Sequence, residues 1–404
     1  MNSALITRFI ERIDQHINNA DKLIIALSWR DIKSPKAGGA EIHTHELLKA
    51  VNKDKYAVIH IAFSSEGLSN AELIDQILYI RHGSYLSYIL FARRIYRHYL
   101  KQVTAVLDQC NTWRAFSPFW VKAQHRVFYI HQLTREIWHI QSKGLFAWIG
   151  EHTETAMLKL NRHDRVITVS KSTADDLVQA GFDRDRMLIV RNGLPQEIIS
   201  FKGSDSVHIN KEQEPVFIYV GRYARYKGIN DTIEAFGLFK KDHPDAKLWI
   251  VGKPDEKYLS EDLLPLCDKH ELSTGRISDH ESDKDITIWG FVPEEKKYEL
   301  MERAHALICP SVREGWGIII SEAGFLGTPG IVYDSPGLRD AVDMGQTGYM
   351  CSENTPGEIA RLMRRSVDDA AEYDEIRNRA ITFASSLRWD ANTEIINRFF
   401  DDMV

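Results

Sequence analysis

The chain has 404 residues, 44% of them hydrophobic and 27% charged, with 57 acidic side chains against 51 Lys and Arg for a formal net charge of -6. That length exceeds one ordinary core, since domains run to about 100–200 residues, and the composition is that of a globular chain rather than a disordered or fibrous one. The mildly acidic balance argues against nucleic acid as a partner, no apolar run approaches the roughly 18 residues that cross a bilayer, and the opening MNSALITRFIERID carries charge where a leader needs its apolar stretch, so a cytoplasmic protein is expected.

Short apolar runs alternate with helix-period segments, the pattern of parallel strands joined by crossover helices. Strands are expected at 22–28, 57–63, 105–107, 126–130, 165–169, 187–190, 216–220, 247–251, 286–289, 306–309 and 330–333. In the first half LIIALSW leads into SPKAGGAEIHTHELLKAV, where Gly38 and Gly39 precede a helix starting near Ala40, so a helix N-terminus faces the space beyond a strand end. His43 and His45 in that run are two apart and point to different helix faces, which is a poor arrangement for a metal. Residues 81–101, RHGSYLSYILFARRIYRHYLK, hold five Lys and Arg, no acid and five aromatics. Such a segment suits an anionic membrane surface or an anionic or lipid-linked acceptor; a helix packed through Leu86, Ile89, Leu90 and Ile95 with a solvated basic face accounts for it equally. His131 directly follows a strand, where an imidazole can hydrogen-bond a sugar hydroxyl or steady charge. The four cysteines are far apart in sequence and read as reduced packing residues.

From Ile199 to Pro215 the sequence turns polar before a new strand begins at Val216, which marks a domain boundary. The expected division is 1–200 and 201–386, and the residues beyond 387 form a last amphipathic helix. In the second part VGRYARYKG ends the first strand, and Arg222 and Lys227 bracket a turn where open α/β sheets bind ligands; a guanidinium fork beside an ammonium makes a diphosphate clamp. After the strand ALICPS comes EGWGIIISE: Gly315 and Gly317 let the backbone approach a ligand, and a helix over 318–326 presents its N-terminus to an anion. Glu314 precedes that helix and Glu322 lies inside it, roughly 6 Å along the axis from Ile318. Carboxylates accept hydrogen bonds, so vicinal hydroxyls are their natural neutral partner. No Asp-x-Asp after an apolar strand, no P-loop and no GxSxG elbow occurs in the sequence.

Together AGGAE (37–41), VGRYARYKG, GFVP (290–293), PSVREGWGIIISEA (310–323), and GTPGIVYDSPGLRD followed by GQTGY resemble the retaining glycosyltransferases of family 4. The resemblance implies the α/β GT-B fold, two Rossmann-like domains with parallel sheets facing an interdomain cleft, with the terminal helix 387–404 returning to the first domain, 1–200. It implies a nucleotide-diphosphate sugar as donor substrate, no further cofactor, no metal, and a glycan or lipid-linked hydroxyl as acceptor, with cell-surface polysaccharide assembly as the pathway. Carried onto this sequence, Arg222 and Lys227 would hold the diphosphate, Glu322 the ribose diol and Glu314 a hydroxyl of the donor sugar. Gly315, Trp316, Gly317 and Ile318 would line sugar and phosphate, Gly290, Phe291 and Val292 would border the base, Gly39 would approach the phosphates, and His131 would touch the sugar. The sequence departs from the family pattern in SPGLRD, with Pro336 where a second glycine is often found.

Two other readings compete. A nucleotide-sugar epimerase on a similar scaffold would need acid and base groups flanking the sugar, and EGWG with its spaced glutamates disfavours it. A non-catalytic nucleotide-sugar-binding subunit is disfavoured by the intact set of Arg222, Lys227, Glu314 and Glu322.

Overall fold

The structure, a computed structural model, describes residues 3–17, 20–110, 114–141, 144–203, 211–277 and 284–404; part of the expected polar linker, 204–210, lies outside the described residues. The chain forms two compact units, one of Met1–Leu133, Thr153–Asn192 and Trp389–Val404, the other of Thr134–His152 and Gly193–Arg388.

Among the described residues the first unit carries eight strands: β1 (Lys22–Leu27), β2 (Tyr56–Ala62), β3 (Ala71–Ile74), β4 (Ile77–Arg81), β5 (Val103–Cys110), β6 (Arg126–Ile130), β7 (Arg165–Thr168) and β8 (Met187–Ile189). Their order is β3-β4-β2-β1-β5-β6-β7-β8, parallel throughout except for the antiparallel pair β3–β4. Strands β3 and β4 are absent from the sequence-based expectation. The turn between them has Asp75 and Gln76 both at positive φ, the backbone of a primed two-residue hairpin, but without the glycine that usually signals it.

That hairpin corrects the expected basic segment 81–101 at its first residue. Arg81 closes β4 and is 1% exposed, its Nε 2.5 Å from Asp31 Oδ2 and its Nη1 3.1 Å from Glu72 Oε2. The helix covers Tyr85–His98 and buries Tyr88, Phe91, Ala92, Ile95 and Tyr96. Leu86 and Leu90, which the packed-helix reading would bury, stand 73% and 58% exposed; the larger aromatic rings of the helix take the buried face. At the other end of the chain, the helix Thr393–Asp401 places Ile396, Phe399 and Phe400 in one core cluster with Tyr56, Tyr129 and Val190. Lys55 Nζ to Asp401 Oδ1 at 2.5 Å and the Asn52 amide donating to Asn397 Oδ1 at 2.7 Å fasten it there.

Among the described residues the second unit holds seven parallel strands: β9 (Val216–Val220), β10 (Lys247–Val251), β11 (Thr274–Arg276), β12 (Ile286–Gly290), β13 (Ala306–Cys309), β14 (Gly330–Val332) and β15 (Tyr349–Met350), in the order β11-β12-β10-β9-β13-β14-β15. The helix Gln196–Lys202 belongs to this unit, and Lys202 Nζ donates to the Phe325 carbonyl. Both sheets are of the parallel α/β kind read from the sequence. At their carboxyl ends β9, β10 and β12 are knitted by backbone bonds, Gly221 N to Val251 O at 3.0 Å and Gly252 N to Gly290 O at 2.9 Å. Loops carrying function from a parallel sheet emerge at this edge.

Candidate functional site

In the second unit β9 and β13 are neighbours, so the loops after them, 221–228 and 310–317, leave the sheet side by side. Two contacts lock them together. The Val312 amide donates to the Tyr226 carbonyl at 2.9 Å, and Gly228, at φ +77, sits so close that a Cβ would stand 2.4 Å from the Pro310 carbonyl oxygen. The consequence is an ion pair: Lys227 Nζ donates to Glu314 Oε1, with side chains 18% and 15% exposed. Burial pulls the Lys227 pKa down, but the Glu314 carboxylate and then Tyr226 more than offset it, so the ammonium lies above its ordinary range. Arg222 is exposed, and its Nη2 donates to the Tyr226 hydroxyl at 2.6 Å within the same turn. The structure thus joins Lys227 to Glu314 directly and holds Arg222 through Tyr226, a residue with no signal of its own in the sequence.

Beyond Glu314 the chain turns at Gly317, φ +90, into the helix Ile318–Phe325. Trp316 is 3% exposed and donates from Nε1 to Ser321 Oγ at 2.9 Å, pinning the turn to the helix it opens; Gly315 and Ile318 are half-buried. The Glu314 backbone is clamped from the other side, where its amide donates to the Pro336 carbonyl at 3.0 Å and Ser335 Oγ donates to the Ser311 carbonyl at 2.8 Å. Gly337, at φ +81, lets this happen, for a Cβ there would meet the Glu314 carbonyl oxygen at 2.3 Å. Gly337→Ala is therefore expected to cost about 1–3 kcal/mol from backbone conformation alone, read as a shift in the urea midpoint, and to weaken donor binding as Glu314 is displaced.

Glu322 is 4% exposed. Burial drives its carboxyl pKa upward, opposed by Lys297 Nζ at 2.9 Å from Oε2. At the end of β12, Gly290 takes φ +69, Phe291 is 81% exposed and Val292 is half-buried.

The first unit carries the remaining two residues. Gly39 opens the helix Gly39–Lys49, and Glu41 in its first turn already accepts from the Gly38 amide at 2.7 Å and pairs with Arg30 at 3.1 Å. His131 Nε2 lies 3.2 Å from the Tyr129 hydroxyl, while its Nδ1 is buried without a hydrogen-bond partner among the described residues. Burial and the neighbouring His43 hold its pKa well below the ordinary value, so it is a neutral hydrogen-bonding ring, not a cation that steadies charge. His43 is occupied by Tyr129 and the Val190 carbonyl, His45 by Tyr79 and Asp75. Among the described residues no three or more His, Cys, Asp or Glu side chains gather to hold a metal ion, and no helix is long and apolar enough to cross a membrane.

Residues 37–197 match the model of Glycosyltransferase Family 4, and residues 202–383 match that of Glycosyl transferases group 1. Over 210 residues the chain is 28% identical to glycogen synthase of Mycobacterium tuberculosis (strain CDC 1551 / Oshkosh), covering 52% of this chain and 46% of that one. The chain thus spans about half the length of the curated relatives it matches. Among solved structures it is similar to sucrose-phosphate synthase from Thermosynechococcus elongatus, with a TM-score of 0.72 at 17% identity, covering 95% of this chain and 99% of that one. It is also similar to Anabaena HepE in complex with UDP-glucose, with a TM-score of 0.65 at 18% identity, covering 94% and 98%.

Proposed function

We propose that this chain, which belongs to glycosyltransferase family 4, moves a sugar from a nucleotide-diphosphate sugar to a hydroxyl of a glycan or lipid-linked acceptor in cell-surface polysaccharide assembly. The supporting observation is the Lys227–Glu314 pair: one contact joins a cation suited to a departing diphosphate and a carboxylate suited to the hydroxyls of the sugar it leaves. In this reading Arg222 shares the diphosphate with Lys227 and Glu322 accepts from the ribose diol. Gly290, Phe291 and Val292 border the base. Transfer proceeds with retention at the anomeric carbon and without a metal, the two basic side chains neutralising the leaving group. Because Anabaena HepE was solved in complex with UDP-glucose, that nucleotide sugar is the first donor to try.

The test is a panel of nucleotide sugars screened by thermal shift, followed by nucleoside diphosphate release and the anomeric proton couplings of the product by NMR. A donor that raises the melting temperature, and a product of unchanged anomeric configuration formed equally well in EDTA, are expected. If no nucleotide sugar stabilises the protein or is consumed, the proposal fails.

On the acceptor side, the helix Tyr85–His98 supports contact with the inner face of an anionic membrane. It exposes Leu86 and Leu90 alongside Arg94 and Arg97, beside an apolar groove of about 370 Å³ that includes Phe116 and the 71%-exposed Phe119. Charged head groups would meet the arginines and the apolar side chains would enter the interface. Vesicles rich in phosphatidylglycerol are expected to float the protein in a density gradient, with neutral vesicles ineffective and Leu86→Ser/Leu90→Ser reducing the bound fraction severalfold. Equal flotation on neutral lipid would refute the electrostatic part.

A further inference from the structure

Lys297 reads in the sequence as one more charge in the run PEEKKYEL. In the structure it is an interior cation. Its side chain is 13% exposed, its Nζ lies 2.5 Å from Glu294 Oε2 on its own helix, Glu294–Arg303, and 2.9 Å from Glu322 Oε2. Glu322 has a side chain only 6% exposed. Lys297 Nζ is the cation against this carboxylate, and Glu322 Oε2 is buried with no other hydrogen-bond partner among the described residues. A buried carboxylate in that condition is costly unless something else supplies a donor.

Charged groups reach Glu322 from two other elements. Lys297 and Glu294 come from the helix Glu294–Arg303, and Glu197 from the helix Gln196–Lys202; both acids push the Glu322 pKa further up, and only Lys297 pulls it down. From the helix Ala370–Ser386 the neighbour is Ala380 beside Gly324, which brings no charge. Lys297 itself is pulled down by burial and restored above its ordinary range by Glu322 and Glu294.

We propose that Lys297 is a positioning residue for nucleotide binding, holding Glu322 ionised and its carboxylate oriented so that both oxygens accept from the two hydroxyls of a ribose. The inference rests on the reading of Glu322 as the ribose acceptor. A protonated Glu322 would present a donor where the diol offers one, losing a hydrogen bond from the pair. The sign follows: Glu322 is competent above its folded pKa and loses competence as pH falls through it, and removing Lys297 moves that pKa up.

The experiment is calorimetric titration of UDP, GDP and ADP into the full chain between about pH 6 and about pH 9, where His-containing surfaces also titrate and the wild type supplies the baseline. Lys297→Met is expected to bind roughly tenfold more weakly than wild type at the acid end, the loss of about one charge-assisted hydrogen bond, and to recover as pH rises. Lys297→Arg is expected to keep the wild-type profile. In turnover the defect should appear in the donor KM and leave kcat near wild type. A folded Lys297→Met protein whose binding parallels wild type across the range overturns the inference. A wild type that binds no nucleoside diphosphate at any pH overturns the functional reading beneath it instead. If Lys297→Met does not fold, the carboxyl carbon shift of Glu322 in labelled wild type decides: ionised at neutral pH supports the proposal, protonated refutes it.

Discussion

Replacing Arg222 by Ala is expected to lower kcat/KM for the donor by about 10²–10³, the usual cost of losing one charge-stabilising group at a leaving group, with almost no change in melting temperature. The two halves of that expectation have separate causes. Arg222 is exposed, its guanidinium spends one hydrogen bond on the Tyr226 hydroxyl, and the turn is held independently by Tyr219 Oη donating to the Arg222 carbonyl at 3.1 Å. Stability therefore has little to lose, since exposed substitutions of this kind usually stay within about 0.5 kcal/mol. Catalysis has much to lose if the guanidinium meets the diphosphate. Coupled detection of nucleoside diphosphate beside differential scanning fluorimetry reads both quantities, and unchanged release would remove Arg222 from the site.

Lys227→Ala should behave differently, costing both activity and stability. The pair with Glu314 is more than four-fifths buried on each side, and deleting the ammonium leaves a carboxylate with less solvent than it needs. Leaving such a group unsatisfied costs about 1–3 kcal/mol, and turnover should fall by at least the factor expected for Arg222. The double variant Lys227→Ala/Glu314→Gln separates the effects: it should regain most of the stability, because the lone charge is gone, and none of the activity. The pH dependence has a definite sign. The folded Lys227 pKa is raised above its ordinary value, so the stabilisation is fully present below about pH 10.5 and fades only as pH rises through the folded value. A melting temperature that drops between neutral pH and about pH 8 for loss of this pair would contradict it.

The parallel strands were legible where apolar runs are long and bounded by turn residues, as in KLWIV of β10 or VFIYV of β9. Strand β4 was not, although ILYIR is as apolar, because its hairpin turns on Asp75 and Gln76 rather than on glycine. Strand β15, two residues long, has no pattern of its own and exists by pairing with β14. The buried face of the helix Tyr85–His98 stayed open between two readings for a related reason. Apolar side chains lie on more than one face, and which is covered depends on what packs against it. At the site, Arg222, Lys227 and Glu314 stood out because charged residues in loops at the carboxyl ends of parallel strands have few structural uses, and Glu322, inside the following helix, through its spacing from Glu314. Lys297 and Gly337 did not, since each matters through a neighbour far away in sequence, Glu322 and Glu314 respectively, and Tyr226 did not because its hydroxyl acts only as a support for Arg222.

The path of the chain between its two units has an experimental consequence. It passes from one to the other at Leu133/Thr134, His152/Thr153, Asn192/Gly193 and Arg388/Trp389, so no single cut separates them. A fragment ending near residue 200 would lack Ile396, Phe399 and Phe400, which fill part of the core around Tyr56 and Tyr129. It would also carry the stretch 134–152, whose Glu136 is the partner of the buried Arg313, 2.7 Å away and next to Glu314 in sequence. Dissecting this chain into halves would expose apolar surface on one product and take Glu136 from an internal guanidinium in the other. Obtaining either half alone requires linking its separate segments, three in the first unit and two in the second, rather than truncating the chain.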